Sequence, residues 1–306
     1  MNEKFFFHKM GGACLMLDKE RLTILVDKIL SDSKNGKIIF VVSALSGVTR
    51  LLGEAFLAEE ESHPKEEIDQ KIKYFADIHF RMIDRLITLK EDKTLLKEFV
   101  VSLKNDLSNK LNSKIKAPRN HASILVLGEL ASSCVFSFFL KQIADCRLID
   151  ARNLIIVEKG DYLNSKPNFN STFSKVKKCF LPFTYNIIVT QGYISSDIDD
   201  EDHVLGFDGS DLSVAILADC FLKMENYVSL TYWKDVLGVM KNPQNIKDGF
   251  FGEMRIIEYL DFSEKKSVPV RTDAIRLFLS YLNLKVLKIQ IRSFLELENP
   301  GTIIRN

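Results

Sequence analysis

Apolar positions in this chain follow two rhythms that alternate along its length. Lys4 to Met10, with Phe5 to Phe7 and Met10 as its apolar positions, read as a buried strand, and Gly11-Gly12 read as its turn. From about Asp18, Leu22, Leu25, Val26 and Ile29 fall at helical spacing. The plan then repeats, because Ile38 to Val42 is a run of the kind found in central strands covered on both faces, followed by a polar loop from Ser43 to Gly47. From about Leu51 to Asn120 the chain becomes charged, with Leu and Phe at helical intervals, which predicts a helical insertion over residues 53–120 with solvated charged faces. Ile124 to Leu127 predicts a return to strand, ending at Gly128-Glu129 before an apolar helix. "YNIIVTQGYISS" and "NYVSLTYWKDVLG" predict two further strands. In "KVLKIQIRSF", Leu287, Ile289 and Ile291 alternate with Lys288, Gln290 and Arg292, the period of a half-buried strand.

Strands alternating with helices predict an α/β three-layer sandwich with a largely parallel central sheet, in which ligands sit beyond the carboxyl ends of the strands. That edge gathers Gly11-Gly12, Ser43 to Thr49, Glu129 and the turn "GFDGSD" at 206–211. No internal repeat, low-complexity tract or flexible linker calls for independently folded pieces.

Composition narrows the chemistry. A chain of 306 residues holds one large domain or two lobes with substantial cores. Lys and Arg number 42 against 41 Asp and Glu, so the net charge of +1 implies no overall attraction to nucleic acid or membrane and favours a small-molecule substrate. Five cysteines without CxxC spacing point to a reducing cytosol rather than a disulfide framework, and they argue against zinc. The N-terminal segment is interrupted by Lys, His and a glycine pair, so it reads as neither signal peptide nor membrane span, and a cytoplasmic protein is expected.

Two stretches carry candidate chemistry. In "HKMGGAC", Lys9 at a strand end supplies a compact positive charge, and Gly11 and Gly12 let backbone N–H groups approach a polyphosphate. In "VLGFDGSDLSVAILADCF", a polar turn feeds straight into a helix whose first turn carries Asp211. Each has a plainer reading: a glycine pair after a strand is often only a tight turn, and Asp211 is also what a helix dipole favours in a first turn.

Taken in order, the segments resemble the aspartokinases of the amino-acid kinase superfamily. "HKMGGAC" stands where that family has Lys-Phe-Gly-Gly-Thr-Ser, and "VVSALSGVTRLL" resembles the segment after its second strand. "GELASS" is similar to Gly-Glu-Arg-Leu-Ser, and "VLGFDGSDLSVAILA" to the Leu-Gly-Arg-Gly-Gly-Ser-Asp helix entry. "WKDVLGVM" resembles Trp-Thr-Asp-Val-Asp-Gly-Val-Met, "FSEKKSVP" faintly echoes Phe-Gly-Ala-Lys-Val-Leu-His-Pro, and "ENPGTII" resembles Pro-Gly-Thr-Leu-Ile. The resemblance covers nearly the whole chain.

It implies the amino-acid kinase fold, with a substrate lobe over about 1–203 and a nucleotide lobe over about 204–306. It also implies transfer of the γ-phosphoryl of ATP, with Mg2+, to the carboxylate of L-aspartate, giving 4-phospho-L-aspartate and ADP, the first step of aspartate-family amino-acid biosynthesis. By the same resemblance Lys9 stabilises the transferring phosphoryl and Asp211 orients that lysine or the magnesium shell. Gly11, Gly12, Gly209 and Ser210 lie at the phosphates, and Asp235 and Lys265 face the nucleotide. Ser43, Thr49, Glu129 and the place of Phe207 belong to the substrate side, with Glu129 on the α-ammonium. No protein metal ligand is implied. Aspartokinases commonly continue into paired ACT regulatory domains; the chain ends at Asn306, which implies no feedback through them and leaves a homodimer to be built from the kinase domain itself.

Departures from the family pattern keep other readings open. Phe207 holds the place of an arginine that pairs with a carboxylate of aspartate, Asp208 replaces the next glycine, and Ala13 and Cys14 replace the Thr-Ser pair. A phenyl ring cannot form the bidentate contact of a guanidinium. A kinase of the same fold acting on another amino acid or carboxylate, and an inactive nucleotide-binding relative, therefore stand beside the aspartokinase reading. Arg50 and Arg152 are candidates for the missing arginine, and Cys14 reads as a small buried filler.

Overall fold

A computed structural model of the chain describes residues 3–113, 117–180, 185–281 and 286–305. Residues 114–116 of the expected insertion and Lys285 at the head of the last alternating run lie outside them. The chain opens with β1 (Lys4–Met10), the single turn α1 (Gly12–Leu15), α2 (Lys19–Asp32) and β2 (Lys37–Val42). Asp18 caps α2, its carboxylate accepting from the Arg21 N–H at 2.8 Å. Helices α3 (Val48–Glu60), α4 (Lys65–Leu86) and α5 (Lys90–Leu111) follow where the helical insertion was expected. Then come α6 (Pro118–Lys141), β3 (Arg147–Ile149), α7 (Phe169–Phe180) and β4 (Ile187–Gln191). A short antiparallel pair, β5 (Ile194–Ser196) and β6 (Asp202–Val204), leads into α8 (Gly209–Lys223) and β7 (Tyr227–Lys234). The chain closes with β8 (Glu253–Arg255), α9 (Ile256–Ser263), α10 (Thr272–Arg276), β9 (Leu287–Ser293) and β10 (Thr302–Arg305).

Eight strands form one sheet in the order β3-β4-β2-β1-β7-β9-β10-β8. Every pair in it is parallel except β10 with β9. The four strands from before residue 203 lie together in this order, and the four from after residue 204 continue the same sheet beyond β1.

Both faces of the sheet are covered, which explains the unbroken apolar runs. On β2, Ile38, Phe40 and Val42 pack with Leu25, Phe75 and Phe136 of the early helices, while Ile39 and Val41 pack with Phe221 of α8 on the opposite side. The same alternation on β1 puts Met10 on the first face and Phe5 and Phe7 on the second, so Lys9 points with the latter toward α8.

One expectation fails. Ile124 to Leu127 is not a strand but the middle of α6, a helix of 24 residues that begins with Pro118 in its first turn. An apolar run buried on all sides carries no readable period, so a strand and a core helix look alike until their length is known. The helix is long and apolar enough to pass for a membrane span by composition, but 78% of its most apolar window is buried inside the fold. Gly128 is why α6 can lie so close to the loop before α3: a Cβ there would stand 3.0 Å from Val48 Cγ1 and 3.1 Å from Ala44 Cβ.

Candidate active site

The carboxyl ends of β1, β2, β4 and β7 open on one side of the sheet, and the turns leaving them are pressed together. A Cβ on Gly12 would fall 2.3 Å from the Ala44 carbonyl oxygen and 2.6 Å from the Ser46 nitrogen, so only glycine fits where the β1 turn meets the β2 loop. Gly206 sits at φ +75° with a virtual Cβ 2.3 Å from Asn164 Oδ1. Asp208 follows at φ +52° as the residue capping α8. It holds the left-handed conformation at the place where the resembled motif has glycine, and aspartate is among the few side chains that accept it.

These turns border a cleft of about 610 Å³ lined by Lys9, Ser43, Thr49, Glu129, Phe207 and Ser210, among others. Of the lining residues Lys9 belongs to a cluster of three buried charged side chains, with Asp211 and Lys234 standing behind the lining. The Lys9 ammonium lies 3.1 Å from Asp211 Oδ1, and the Lys234 ammonium lies 2.9 Å from Asp211 Oδ2. Asp211 is fully buried. Burial alone would push its carboxyl up, but the Lys9 and Lys234 charges outweigh that and hold it below the ordinary carboxylate range. Lys9 is also buried, and the opposing pull of Asp211 keeps its ammonium above the usual range. Lys234 goes the other way, lowered first by burial and then by the like charge of Lys9.

The α6 wall is different. Glu129, in the middle of α6, is almost completely buried, and burial pushes its carboxyl up to about 8 against backbone N–H groups and the Thr49 hydroxyl, which hydrogen-bond to it. Among the described residues its Oε2 has no partner. A buried polar oxygen left without a partner is costly in a finished core and ordinary in a site that receives a donor from a ligand. Ser132, one turn later, donates to the Ser43 carbonyl at 2.8 Å and ties α6 to the β2 loop.

Phe207 is 90% exposed at the rim. Its carbonyl and that of Leu205 accept hydrogen bonds from Arg271 Nη1 at 2.8 and 2.6 Å, so Arg271 clamps the turn from behind. The remaining guanidinium donors of Arg271 go to Asp273, and its backbone N–H reaches Asp211 Oδ2 at 3.4 Å. Of the two arginines considered as substitutes for the missing one, Arg152 is held by Asp150 and Asp202 at 2.6 and 2.8 Å and does not line the cleft. Arg50 does line it, is 82% exposed, and has one loose contact, to Glu54 at 3.7 Å.

Lys9, Gly12, Ser43, Thr49, Glu129, Phe207, Gly209 and Ser210 therefore share the cleft lining; Gly11 adjoins Lys9, its virtual Cβ 3.5 Å from Nζ, and Asp211 stands behind that lysine. Asp235 is exposed just past β7. Lys265 is exposed beyond α9, and no side-chain partner for it occurs among the described residues. Cys14 is a buried thiol pushed up to about 12 by burial, in contact with the Trp233 carbonyl, which is the behaviour of a filler. Sequence reasoning missed Lys234, Arg271 and Tyr193, the last a cleft-lining residue whose hydroxyl is pushed up by burial and the nearby Glu129. Lys234 alone left a signal, a lysine in "WKDV" where the resembled motif has threonine.

The parallel sheet, its two helical layers and the cluster of turns at one edge define an α/β enzyme fold with a charged cleft. A model of the Amino acid kinase family matches residues 4–281, and the chain belongs to that family. It is 25% identical, over 99% of its length, to the chloroplastic bifunctional aspartokinase/homoserine dehydrogenase 2 of Arabidopsis thaliana, and 25% identical over 97% to that of Zea mays. In each case it spans about a third of the relative's length, 32%. Its fold superposes on E. coli aspartokinase III in complex with lysine and aspartate with a TM-score of 0.83 at 19% identity, covering 99% of this chain and 65% of that one. Against a carbamate kinase from Giardia lamblia bound to AMP-PNP the TM-score is 0.55 at 11% identity, covering 100% and 99%.

Proposed function

We propose that this chain transfers the γ-phosphoryl of ATP to the side-chain carboxylate of L-aspartate, giving 4-phospho-L-aspartate and ADP. The observation that supports this most is the pairing, across one cleft, of a buried Lys9–Asp211–Lys234 cluster with a buried glutamate that has an unused oxygen. The first suits transferring phosphate, and the second suits an amino acid's ammonium. The aspartokinase relatives and the ADP and aspartate bound by E. coli aspartokinase III point the same way.

The chemistry needs no general base, because the attacking carboxylate is already ionised. Its oxygen forms a bond to the γ-phosphorus as the bond to the β–γ bridging oxygen breaks, and ADP leaves with that electron pair. What must be supplied is the juxtaposition of two anions, by positioning and charge stabilisation. Lys9 faces the transferring oxygens, and Asp211 keeps its ammonium charged and directed. Gly11, Gly12, Gly209 and Ser210 shape the phosphate side, with Asp235 toward the nucleotide. Magnesium would come on the nucleotide's phosphates: among the described residues no three His, Cys, Asp or Glu side chains are set to hold an ion. With Asp211 engaged by lysines, Asp208 and Asp235 are the carboxylates left near the cluster, a set that suits an ion retaining most of its waters.

On the acceptor side Glu129 takes the α-ammonium, with Ser43 and Thr49 beside it. Arg50 is positioned to take the acceptor's α-carboxylate, since an exposed ion pair such as that with Glu54 holds it weakly. The sheet strands before residue 203 then form the acceptor half of the enzyme and those after residue 204 the nucleotide half. One observation favours a second reading: the 90% exposure of Phe207 on the rim suits an acceptor with an apolar group in place of the second carboxylate.

Hydroxylamine trapping of acyl phosphate with MgATP and a panel of amino acids separates the two. Hydroxamate formed best with aspartate is the expected result. Preference for a monocarboxylic or apolar amino acid selects the second reading, and no product with any acid removes both.

A further inference from the structure

Resting on the kinase reading above, we propose that Lys234 is a second catalytic residue, placing its ammonium beside that of Lys9 against the transferring phosphoryl group. The sheet register brings it there. Lys9 of β1 lies directly opposite Tyr232 of β7, and side chains alternate along a strand, so Lys234 stands two residues further toward the carboxyl edge on the same face. Lys9 and Lys234 then reach opposite oxygens of Asp211, at 3.1 and 2.9 Å.

Charge counting says that this cluster is unfinished. Among the described residues Asp211 is the one carboxylate in ion-pair contact with the two ammoniums, Asp208 acts on them only from a distance, and the side chains of Lys9 and Lys234 are only 10% and 15% exposed. Withdrawing a second cation from water is unfavourable unless an opposite charge meets it. Asp211 cannot neutralise both, and the lowered Lys234 reflects that burial and repulsion. An anion arriving at the mouth of the cleft removes the imbalance, and the anion that a kinase brings there is phosphate. A purely structural role would need only Lys9. Lys265, expected at the nucleotide from sequence, is exposed beyond α9 and is not among the cleft-lining residues, whereas Lys234 is a second cation within the core.

The test compares wild type with Lys234→Met, Lys234→Thr and Lys234→Arg in two readouts. The first is affinity for a non-transferable ATP analogue against ADP; the second is kcat and acceptor KM, with a melting curve for every variant. The wild type should bind the triphosphate more tightly than the diphosphate, and the Met and Thr variants should lose that preference. Their kcat should fall about 10²–10³-fold, the range for removing one preorganised donor from a transition state, with acceptor KM little changed. Lys234→Arg should keep the preference and extend activity at alkaline pH, because a guanidinium does not deprotonate there. The charged or titratable groups facing position 234 are Lys9, Asp211, Asp208 and Cys14, so the arginine change isolates the lysine's own titration. Met and Thr variants that melt lower while retaining both the triphosphate preference and kcat would overturn the proposal. Should the wild type turn over no acceptor, the kinase reading falls, and the analogue-against-ADP comparison still decides Lys234.

Discussion

The two walls of the cleft are built on opposite principles. On the α8 wall, Lys9 and Lys234 project from neighbouring strands and each pairs with Asp211 of α8. On the α6 wall, Glu129 has hydrogen bonds but no ion-pair partner among the described residues, is raised to about 8 with one oxygen unmet, and the rim above it carries an exposed phenyl ring. A preorganised charge cluster works on any phosphate, whereas a half-satisfied pocket is completed only by a ligand of the right shape. Under the proposed function, the difference assigns the reaction to one wall and the choice of acceptor to the other.

The strongest way to break this comparison is Asp211→Asn. It leaves two buried ammoniums without their counter-ion, and a stability loss of about 3–5 kcal/mol is expected, read from the urea midpoint. Turnover should fall in parallel. A variant as stable as wild type would mean that the cluster is not held together by charge.

Glu129→Gln tests the other wall. Losing the charge-assisted contact to the acceptor's ammonium should raise acceptor KM about 10–100-fold. Sign matters for the pH dependence. Glu129 in the folded chain titrates near 8, above the ordinary 4.5, so the native state holds a proton that the unfolded chain has released between those values. Stability from this group is therefore greatest below about pH 4.5 and declines as pH rises toward 8. Acceptor affinity does the reverse, improving from pH 6 to 8 as the carboxylate forms. The Gln variant should flatten both trends, measured by melting and by kcat/KM across that range.

Phe207→Arg sharpens the comparison with the smallest effect. If the α6 wall and rim choose the acceptor, a guanidinium on the turn should raise kcat/KM for aspartate about tenfold, a typical worth for one charged contact. ATP KM should stay unchanged. A fall in aspartate use would show that the turn has been rebuilt around a different acceptor.

Much of this was legible in the sequence, for local reasons. Strand runs such as Ile38–Val42 must be apolar throughout when both faces are covered, and Gly12 must be glycine because two backbones touch there. Asp211 was recognisable because it opens a helix after a glycine turn. The misread stretch, Ile124–Leu127, failed for an equally physical reason, since complete burial erases the period that separates strand from helix. Glu129 was expected at the end of a strand and instead lines the cleft from the middle of α6.

The sequence by itself determined the alternation of strands and helices, the glycine turns and the charged residues at their mouths, because these follow from periodicity and backbone sterics within a few residues. The tertiary structure alone decided that Lys234 meets Asp211, that Arg271 grips the turn at Phe207, and that Lys265 does not line the cleft. Those outcomes depend on which strands become neighbours. The pairing of β1 with β7 joins residues more than 200 positions apart, and no local pattern of apolar and polar side chains encodes a partner at that distance.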